Sequence, residues 1–118
     1  MAELGRPLAY GGVRLPNNVL LAQLAGYTDF SFRKLCYSFG AGGCFTEMVS
    51  AKGLSYDNEA TRALLRLDPS EKHTAAQLFG GDADILRAAC ESEYLAPFAA
   101  VDINMGCPAP KIVSGGAG

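Results

Sequence analysis

Short apolar stretches alternate along the chain with longer amphipathic ones, and glycines separate many of them. Leu8 to Tyr10 and Val13 to Leu15 flank the pair Gly11-Gly12, a pattern typical of a β-hairpin. The continuous apolar run Val19 to Ala22 then predicts a short strand that is buried on both faces. We therefore expect a hairpin followed by the first strand of a buried sheet.

An amphipathic stretch follows this first strand. Thr28 or Asp29 can cap a helix that runs to about Phe39, because either side-chain oxygen can accept from a free backbone N–H group. Gly40 is placed to end this helix. Apolar residues recur within it at spacings of three and four, which predicts one buried face. The residues of this face are Phe32, Leu35, Cys36 and Phe39.

The order of strand, loop and helix then repeats, and a last strand follows. Strands that alternate with helices predict a parallel sheet with right-handed crossovers. A loop is expected between the second strand and the second helix. The remaining predicted elements are a strand at about Cys44 to Thr46, a helix capped by Asp57 or Asn58 that runs through Leu65, a strand from Thr74 to Phe79, a helix after Asp82 and a strand from about Ala100 to Ile103.

This order is typical of a (β/α)8 barrel or of a doubly wound sheet. No G-x-G-x-x-G motif follows the first strand, which weakens the dinucleotide-binding alternative. Four buried strands cannot close a barrel that ordinarily needs eight strands and about 250 residues. The sequence therefore predicts an α/β fold, the N-terminal half of a TIM barrel preceded by a β-hairpin. The 118 residues form one partial domain under this interpretation.

Composition restricts the function further. The net charge is −2, so any attraction for nucleic acid must be local. No apolar run approaches the roughly 18 residues of a membrane helix, and residues 1–6 lack an apolar signal core. The four cysteines have no C-x-x-C spacing and His73 is the only histidine, so a structural zinc site is not expected. We expect free thiols, a cytoplasmic location and no membrane partner.

Candidate chemistry lies where the predicted strands end. Active sites of (β/α)8 barrels are formed at the carboxyl ends of their strands. Polar or small residues from four strands would meet at this edge, a pattern that favours a site over a random surface. They are Gln23, Leu24, Ala25 and Gly26 after the first strand, Glu47 and Met48 after the second, Gln77 near the end of the third, and Asn104 and Cys107 after the fourth.

Several of these residues allow a structural interpretation as well. Ala25-Gly26 would let a flat flavin ring approach the backbone, or would simply form a tight turn. Gln77 is an amide in an apolar strand, and it would bond either to the edge of a heteroaromatic ring or to a neighbouring strand. Glu47 could be catalytic, although an ion pair with Lys52 or Arg62 is the favoured interpretation.

Cys107 is the strongest catalytic candidate. It lies in a loop between Gly106 and Pro108, which would hold the thiol rigidly beside a ligand. A thiol in such a place can act as a nucleophile or as a proton donor. The other three cysteines fall on or beside predicted helices and strands, where they are expected to fill space.

Four stretches of the sequence resemble the tRNA-dihydrouridine synthases, and the DusB-like branch in particular. The resemblance covers about Leu15 to Gly118, and its last stretch is the most specific. Dihydroorotate dehydrogenases have a similar Asn-x-x-Cys-Pro loop but not the full set in this order. The stretches are Leu24 to Asp29, Thr46 to Leu54, Gln77 to Gly80 and Asp102 to Lys111.

The resemblance implies a TIM barrel that holds FMN at the carboxyl ends of its strands, with NADPH as the reductant. A hydride would pass to C6 of a uracil in tRNA, and Cys107 stands where the family's cysteine protonates C5. Asn104 matches the residue that holds the uracil. Gln77 matches a residue that contacts the flavin ring, and Gln23, Leu24 and Ala25 match its backbone cradle.

The chain departs from the family at two points. Gln23-Leu24 stands where the family usually has Pro-Met, and the family's C-terminal half has no counterpart here. That half carries a flavin-contacting lysine and histidine, the phosphate-binding loops and a helical tRNA-binding domain. Two alternatives therefore stay open: another FMN-dependent reductase that acts on a small molecule, and a catalytically incompetent fragment. An open half-sheet also favours self-association.

Overall fold

The computed structural model describes residues 5–118. The expected lack of a signal core concerns residues 1–6, and residues 1–4 lie outside the described range. Strands β1 (Leu8–Tyr10) and β2 (Val13–Leu15) form the predicted antiparallel hairpin. Gly11 turns the chain with a φ of 54°, a conformation that favours glycine. Leu15 is buried, and it packs close to Gly43 at the amino end of the main sheet.

The main sheet has four parallel strands, and each lies beside the strand that precedes it in the sequence. Its spatial order is therefore the chain order, without the reversal that defines a doubly wound sheet. The elements are β3 (Leu20–Leu21), α1 (Phe30–Ser38), β4 (Gly43–Ser50), α2 (Ala51–Ser55), α3 (Glu59–Leu64), β5 (Thr74–Phe79), α4 (Ala83–Cys90), a 3-10 turn (Glu93–Leu95), β6 (Ala100–Ile103) and α5 (Pro110–Ser114).

Side-chain caps begin the helices where the sequence predicted them. Asp29 accepts from the backbone N–H of Phe32 at 2.9 Å and so caps α1, which settles the choice between Thr28 and Asp29. Asn58 caps α3 in the same way, and Asp82 caps α4. Each cap satisfies an N–H group that the helix itself leaves free.

The second strand of the sheet differs from its prediction. β4 runs from Gly43 to Ser50 rather than ending at Thr46, and α2 follows directly where a loop was expected. The polar residues Thr46 and Glu47 looked like the end of an apolar strand. A register shift between Phe45 and Met48 accommodates them, so the strand continues past an irregularity of the β-bulge type.

The core lies between the sheet and helices α2, α3 and α4. Alternate residues of β4 and β5, such as Val49, Ala76 and Leu78, point into it and are almost fully buried. β3 is shorter than predicted and forms an edge of the sheet, so Val19 beside it is 54% exposed. The expectation of a first strand buried on both faces is therefore wrong.

The predicted buried face of α1 is also wrong. Leu35 is 52% exposed and Phe39 is 85% exposed, and with Val19, Leu21, Phe32 and Cys36 they line an open apolar groove beside β3. The buried residue of α1 is Arg33. Helix α1 therefore turns a charged residue toward the interior and much of its apolar stripe toward solvent.

Arg33 is the centre of a buried polar network. Its guanidinium donates to both carboxylate oxygens of Glu71, at 2.7 and 3.2 Å, and the carbonyls of Thr28 and Arg66 also accept from it. The hydroxyl of Thr74 donates to Glu71 at 2.8 Å. This buried pair joins α1 to the loop before β5. Because each charge faces its counter-charge and the remaining polar atoms have hydrogen-bond partners, no buried charge is left uncompensated.

The four cysteines are free thiols in contrasting surroundings. Cys44 is buried under α1, and burial raises the pKa of its thiol to about 11. Cys90 is exposed at the end of α4.

Because the thiolate is the reactive form, we expect iodoacetamide at pH 8 to modify Cys90 in the folded chain and to leave Cys44 intact. Peptide mass spectrometry measures both. Modification of Cys44 at the rate of Cys90 would contradict its burial, and denaturant is expected to equalise the two.

None of the helices within residues 5–118 combines the length and the hydropathy needed to span a membrane.

Candidate active site

A cavity of about 520 Å³ opens at the carboxyl ends of the four parallel strands. Its volume falls within the roughly 300–1,000 Å³ typical of small-molecule sites. All six residues to which the family resemblance assigned a role line it, so the fold brings together positions that are distant in the chain. They are Gln23, Leu24, Ala25, Gln77, Asn104 and Cys107.

The turn after β3 forms one wall of this cavity. Thr28 is fully buried, and its hydroxyl both accepts from the N–H of Leu24 at 3.1 Å and donates to the Leu24 carbonyl. Gly26 has a φ of 79°, so this position requires a residue that tolerates the left-handed region. Ala25 and Gly26 thus form the tight turn that was the structural alternative, and Ala25 lines the cavity as well.

Thr46 and Glu47, at the irregularity in β4, connect the turn after β3 to β4 and β5 through hydrogen bonds. The hydroxyl of Thr46 accepts from the N–H of Gln77 at 3.0 Å and donates to the carbonyl of Glu47. The Glu47 carboxylate in turn accepts from the N–H of Gly26. The expected ion pair of Glu47 with Lys52 or Arg62 is therefore wrong, because Arg62 pairs with Asp57 at 2.6 Å and the register shift directs Glu47 toward the β3 turn.

Gln77 links β5 to β6 at the floor of the cavity. Its Nε2 donates to the Asp102 carboxylate at 2.6 Å, and its Oε1 accepts from Asn104 Nδ2 at 3.0 Å. These bonds are the structural alternative that the sequence left open for Gln77. Each side-chain amide nitrogen carries two hydrogens, so Gln77 and Asn104 each have one N–H that these two bonds do not use.

Asn104 also holds the loop that contains Cys107. Its Oδ1 accepts from the N–H groups of Gly106 at 3.3 Å and Cys107 at 3.2 Å. The thiol of Cys107 is half-buried beside the cavity. The placement of Cys107 therefore depends on a side chain from the end of β6 as well as on the flanking glycine and proline that the sequence emphasised.

Asp102 and Met48 are cavity residues to which the sequence assigned no role. A charged residue within the apolar strand Ala-Val-Asp-Ile was the available signal for Asp102, since a half-buried carboxylate needs a donor. His73 precedes β5 and so lies at the opposite end of the sheet from the cavity. Within residues 5–118, no three His, Cys, Asp or Glu side chains are grouped closely enough to hold a metal ion.

Comparisons with known proteins agree with the resemblance. The family model described as Dihydrouridine synthase (Dus) matches residues 20–118. The chain is 37% identical over 119 residues to a probable tRNA-dihydrouridine synthase of Treponema pallidum, covering 98% of this chain and 34% of that protein. It is 41% identical over 111 residues to tRNA-dihydrouridine synthase B of Pseudomonas putida, covering 92% of this chain and 32% of that protein.

A probable tRNA-dihydrouridine synthase of Helicobacter pylori is 39% identical over 101 residues, covering 85% of this chain and 31% of that protein. The chain thus spans about a third of the length of the curated relatives it matches. The family model covers every residue that lines the cavity, and these relatives each match 85% or more of the chain. This chain therefore belongs to the dihydrouridine synthase family.

Proposed function

We propose that this chain forms part of an FMN-dependent tRNA-dihydrouridine synthase, which reduces uridine in tRNA to 5,6-dihydrouridine with NAD(P)H as the reductant. The observation that carries the proposal is the cavity at the carboxyl ends of β3 to β6. Its residues come from the stretches that resemble the family, and they converge although they are distant in sequence.

The sheet is half of a (β/α)8 barrel under this proposal. Its strand order follows the chain order, as it does in such barrels, whereas a doubly wound sheet reverses direction. β3 and β6 are the two edges at which further strands would add. The relatives are about three times as long as this chain, so they have the residues that a complete barrel needs.

The cavity fits a flavin ring by its size and its donors. Ala25 places no bulky side chain at the β3 turn, and Gln77 keeps one N–H for a ring carbonyl. Gln23, Leu24 and Ala25 would cradle the ring, and Gln77 would contact its edge. Bound FMN, reduced by NAD(P)H, would supply the hydride for C6 of uracil.

Uracil takes up a proton at C5 as the hydride arrives at C6, and the C5–C6 double bond becomes single. The thiol of Cys107 gives this proton, because it lines the cavity on a loop held by two hydrogen bonds to Asn104. The N–H that remains on Asn104 Nδ2 donates to a uracil carbonyl. A fixed acid prevents negative charge from accumulating on the ring.

A chimaera tests the function, because it restores the length that the relatives have. In this chimaera the chain replaces the matching segment of Pseudomonas putida tRNA-dihydrouridine synthase B. We expect it to form dihydrouridine in tRNA with NADPH, measured by nucleoside mass spectrometry. Reduction of small enones without dihydrouridine would favour a small-molecule reductase instead. A chimaera that binds FMN and reduces neither substrate would favour an incompetent fragment.

Titration of the isolated chain with FMN gives a second test, independent of catalysis. Quenching of flavin fluorescence and a shifted visible spectrum are expected if the β3 turn and Gln77 form their part of the site alone. Absence of binding to both the chain and the chimaera would contradict the assigned cradle.

A further inference from the structure

A second cavity, of about 410 Å³, lies farther along the same strands. Ser50 and Phe79 line it, and they are register partners on β4 and β5, as Met48 and Gln77 are in the first cavity. Two residues of a strand span roughly 7 Å, so Ser50 and Phe79 lie about that far beyond Met48 and Gln77 toward the carboxyl ends of β4 and β5. Both cavities therefore belong to one rim of the sheet.

Two lysines line this second cavity, Lys52 at the start of α2 and Lys111 in α5. Neither pairs with a carboxylate among residues 5–118, whereas Arg33, Lys34 and Arg62 all do. Asp82 is the one acidic residue of the lining. Its carboxylate is engaged with the first N–H groups of α4, at 2.9 and 3.0 Å. Asp82 keeps its charge in these bonds, so the lining carries two cations and one anion, a local excess of positive charge in a protein of net charge −2.

Close backbone packing holds the end of α5, the helix that carries Lys111, against the loop after β5. A Cβ atom at Gly81 would lie 2.6 Å from the carbonyl oxygen of Gly116, so only glycine lets the β5–α4 loop approach the end of α5. Helix α5 also begins shortly after Cys107, in the same segment. The segment that presents the thiol to the first cavity therefore presents Lys111 to the second.

We propose, building on the function proposed above, that Lys52 and Lys111 bind a phosphodiester of the tRNA strand beside the target uridine. A base that enters an enzyme cavity leaves the stack of its helix, while its backbone phosphates stay at the cavity mouth. Lysine ammonium groups are compact charges that bind phosphate oxygens without requiring a fixed orientation. In an acidic protein such a local cation pair supplies the attraction that the overall charge does not.

The test is tRNA binding by the 118-residue chain, measured by fluorescence anisotropy over a series of salt concentrations. We expect the double variant K52Q/K111Q to lower the tRNA affinity about tenfold at low salt. We also expect it to reduce the slope of log K against log salt by about one for each lysine. The matched control is R14Q/K72Q, which removes the same charge from residues outside both cavities and outside every ion pair of residues 5–118.

Equal losses in the two double variants would overturn the proposal, since binding would then follow net charge alone. Absence of tRNA binding by the wild-type chain would overturn it as well. FMN titration of the same proteins separates two sources of phosphate. Unchanged FMN affinity in K52Q/K111Q is the expected result, and loss of FMN affinity with tRNA affinity retained would assign the cavity to the flavin phosphate. Failure of the proposed function would instead appear as a chimaera that forms no dihydrouridine.

Discussion

Replacing Cys107 with alanine is expected to slow dihydrouridine formation by the chimaera by about 10²- to 10⁴-fold, the range over which a positioned general acid acts. Alanine removes the proton donor without adding bulk to the cavity. The N–H of residue 107 can still donate to Asn104, so the loop keeps its anchor. Flavin binding is expected to persist, because the β3 turn and Gln77 are untouched.

The control for this variant is Cys90→Ala, which removes an exposed thiol at the end of α4. We expect its turnover to match that of the parent chimaera. Single-turnover rates with reduced flavin are the appropriate measurement, since they isolate the chemical step from flavin reduction and product release. Equal rates for Cys107→Ala and its parent would show that another group delivers the proton.

The second large effect concerns stability. Arg33→Met is expected to lower the free energy of unfolding by about 3–5 kcal/mol, because it leaves the carboxylate of Glu71 buried without its cation. Small domains have roughly 5–15 kcal/mol in total, so this loss is a large share of the stability of the fold. Urea unfolding followed by circular dichroism measures it.

Two further variants identify the cause. Arg87→Met removes the same type of side chain from an exposed pair with Glu91, and the expected loss is within about 0.5 kcal/mol. The double variant Arg33→Met/Glu71→Leu removes both buried charges and is expected to recover much of the stability, since no unpaired ion remains. If the single and double variants are equally unstable, lost packing rather than an unpaired charge determines the effect.

Local signals in the sequence predicted much of the architecture. Gly11 and Gly12 marked the hairpin, and Asp29, Asn58 and Asp82 marked the starts of three helices. Such signals succeed because a cap or a turn depends on atoms only a few residues apart. The alternation of strands and helices likewise predicted the parallel sheet, since parallel neighbours require a crossover.

The predictions that failed depended on contacts between parts of the chain that are far apart in sequence. The apolar stripe of α1 predicted burial, but whether Leu35 and Phe39 are covered depends on what lies beside β3, which is an edge of this sheet. Nothing local to Arg33 indicates that Glu71, far along the chain, will neutralise it in the interior. Periodicity shows which face is apolar but does not show which elements will cover it.

In the candidate site, too, local signals identified residues, while the contacts that position them depend on distant parts of the chain. Its six predicted residues were found by their positions at strand ends and by their resemblance to a family, and the fold places all six around one cavity. The contacts that fix them were not foreseen. Glu47 reaches the turn at Gly26 only because β4 contains an extra residue between Phe45 and Met48, and Asp102 matters only because β6 lies beside Gln77.

The chain order of the sheet also has a consequence for synthesis on the ribosome. Each strand from β4 onward pairs with a strand that has already been made, separated from it by a single crossover. No strand must insert later between two partners that have already paired. The sheet can therefore grow from its amino-terminal side as the polypeptide emerges.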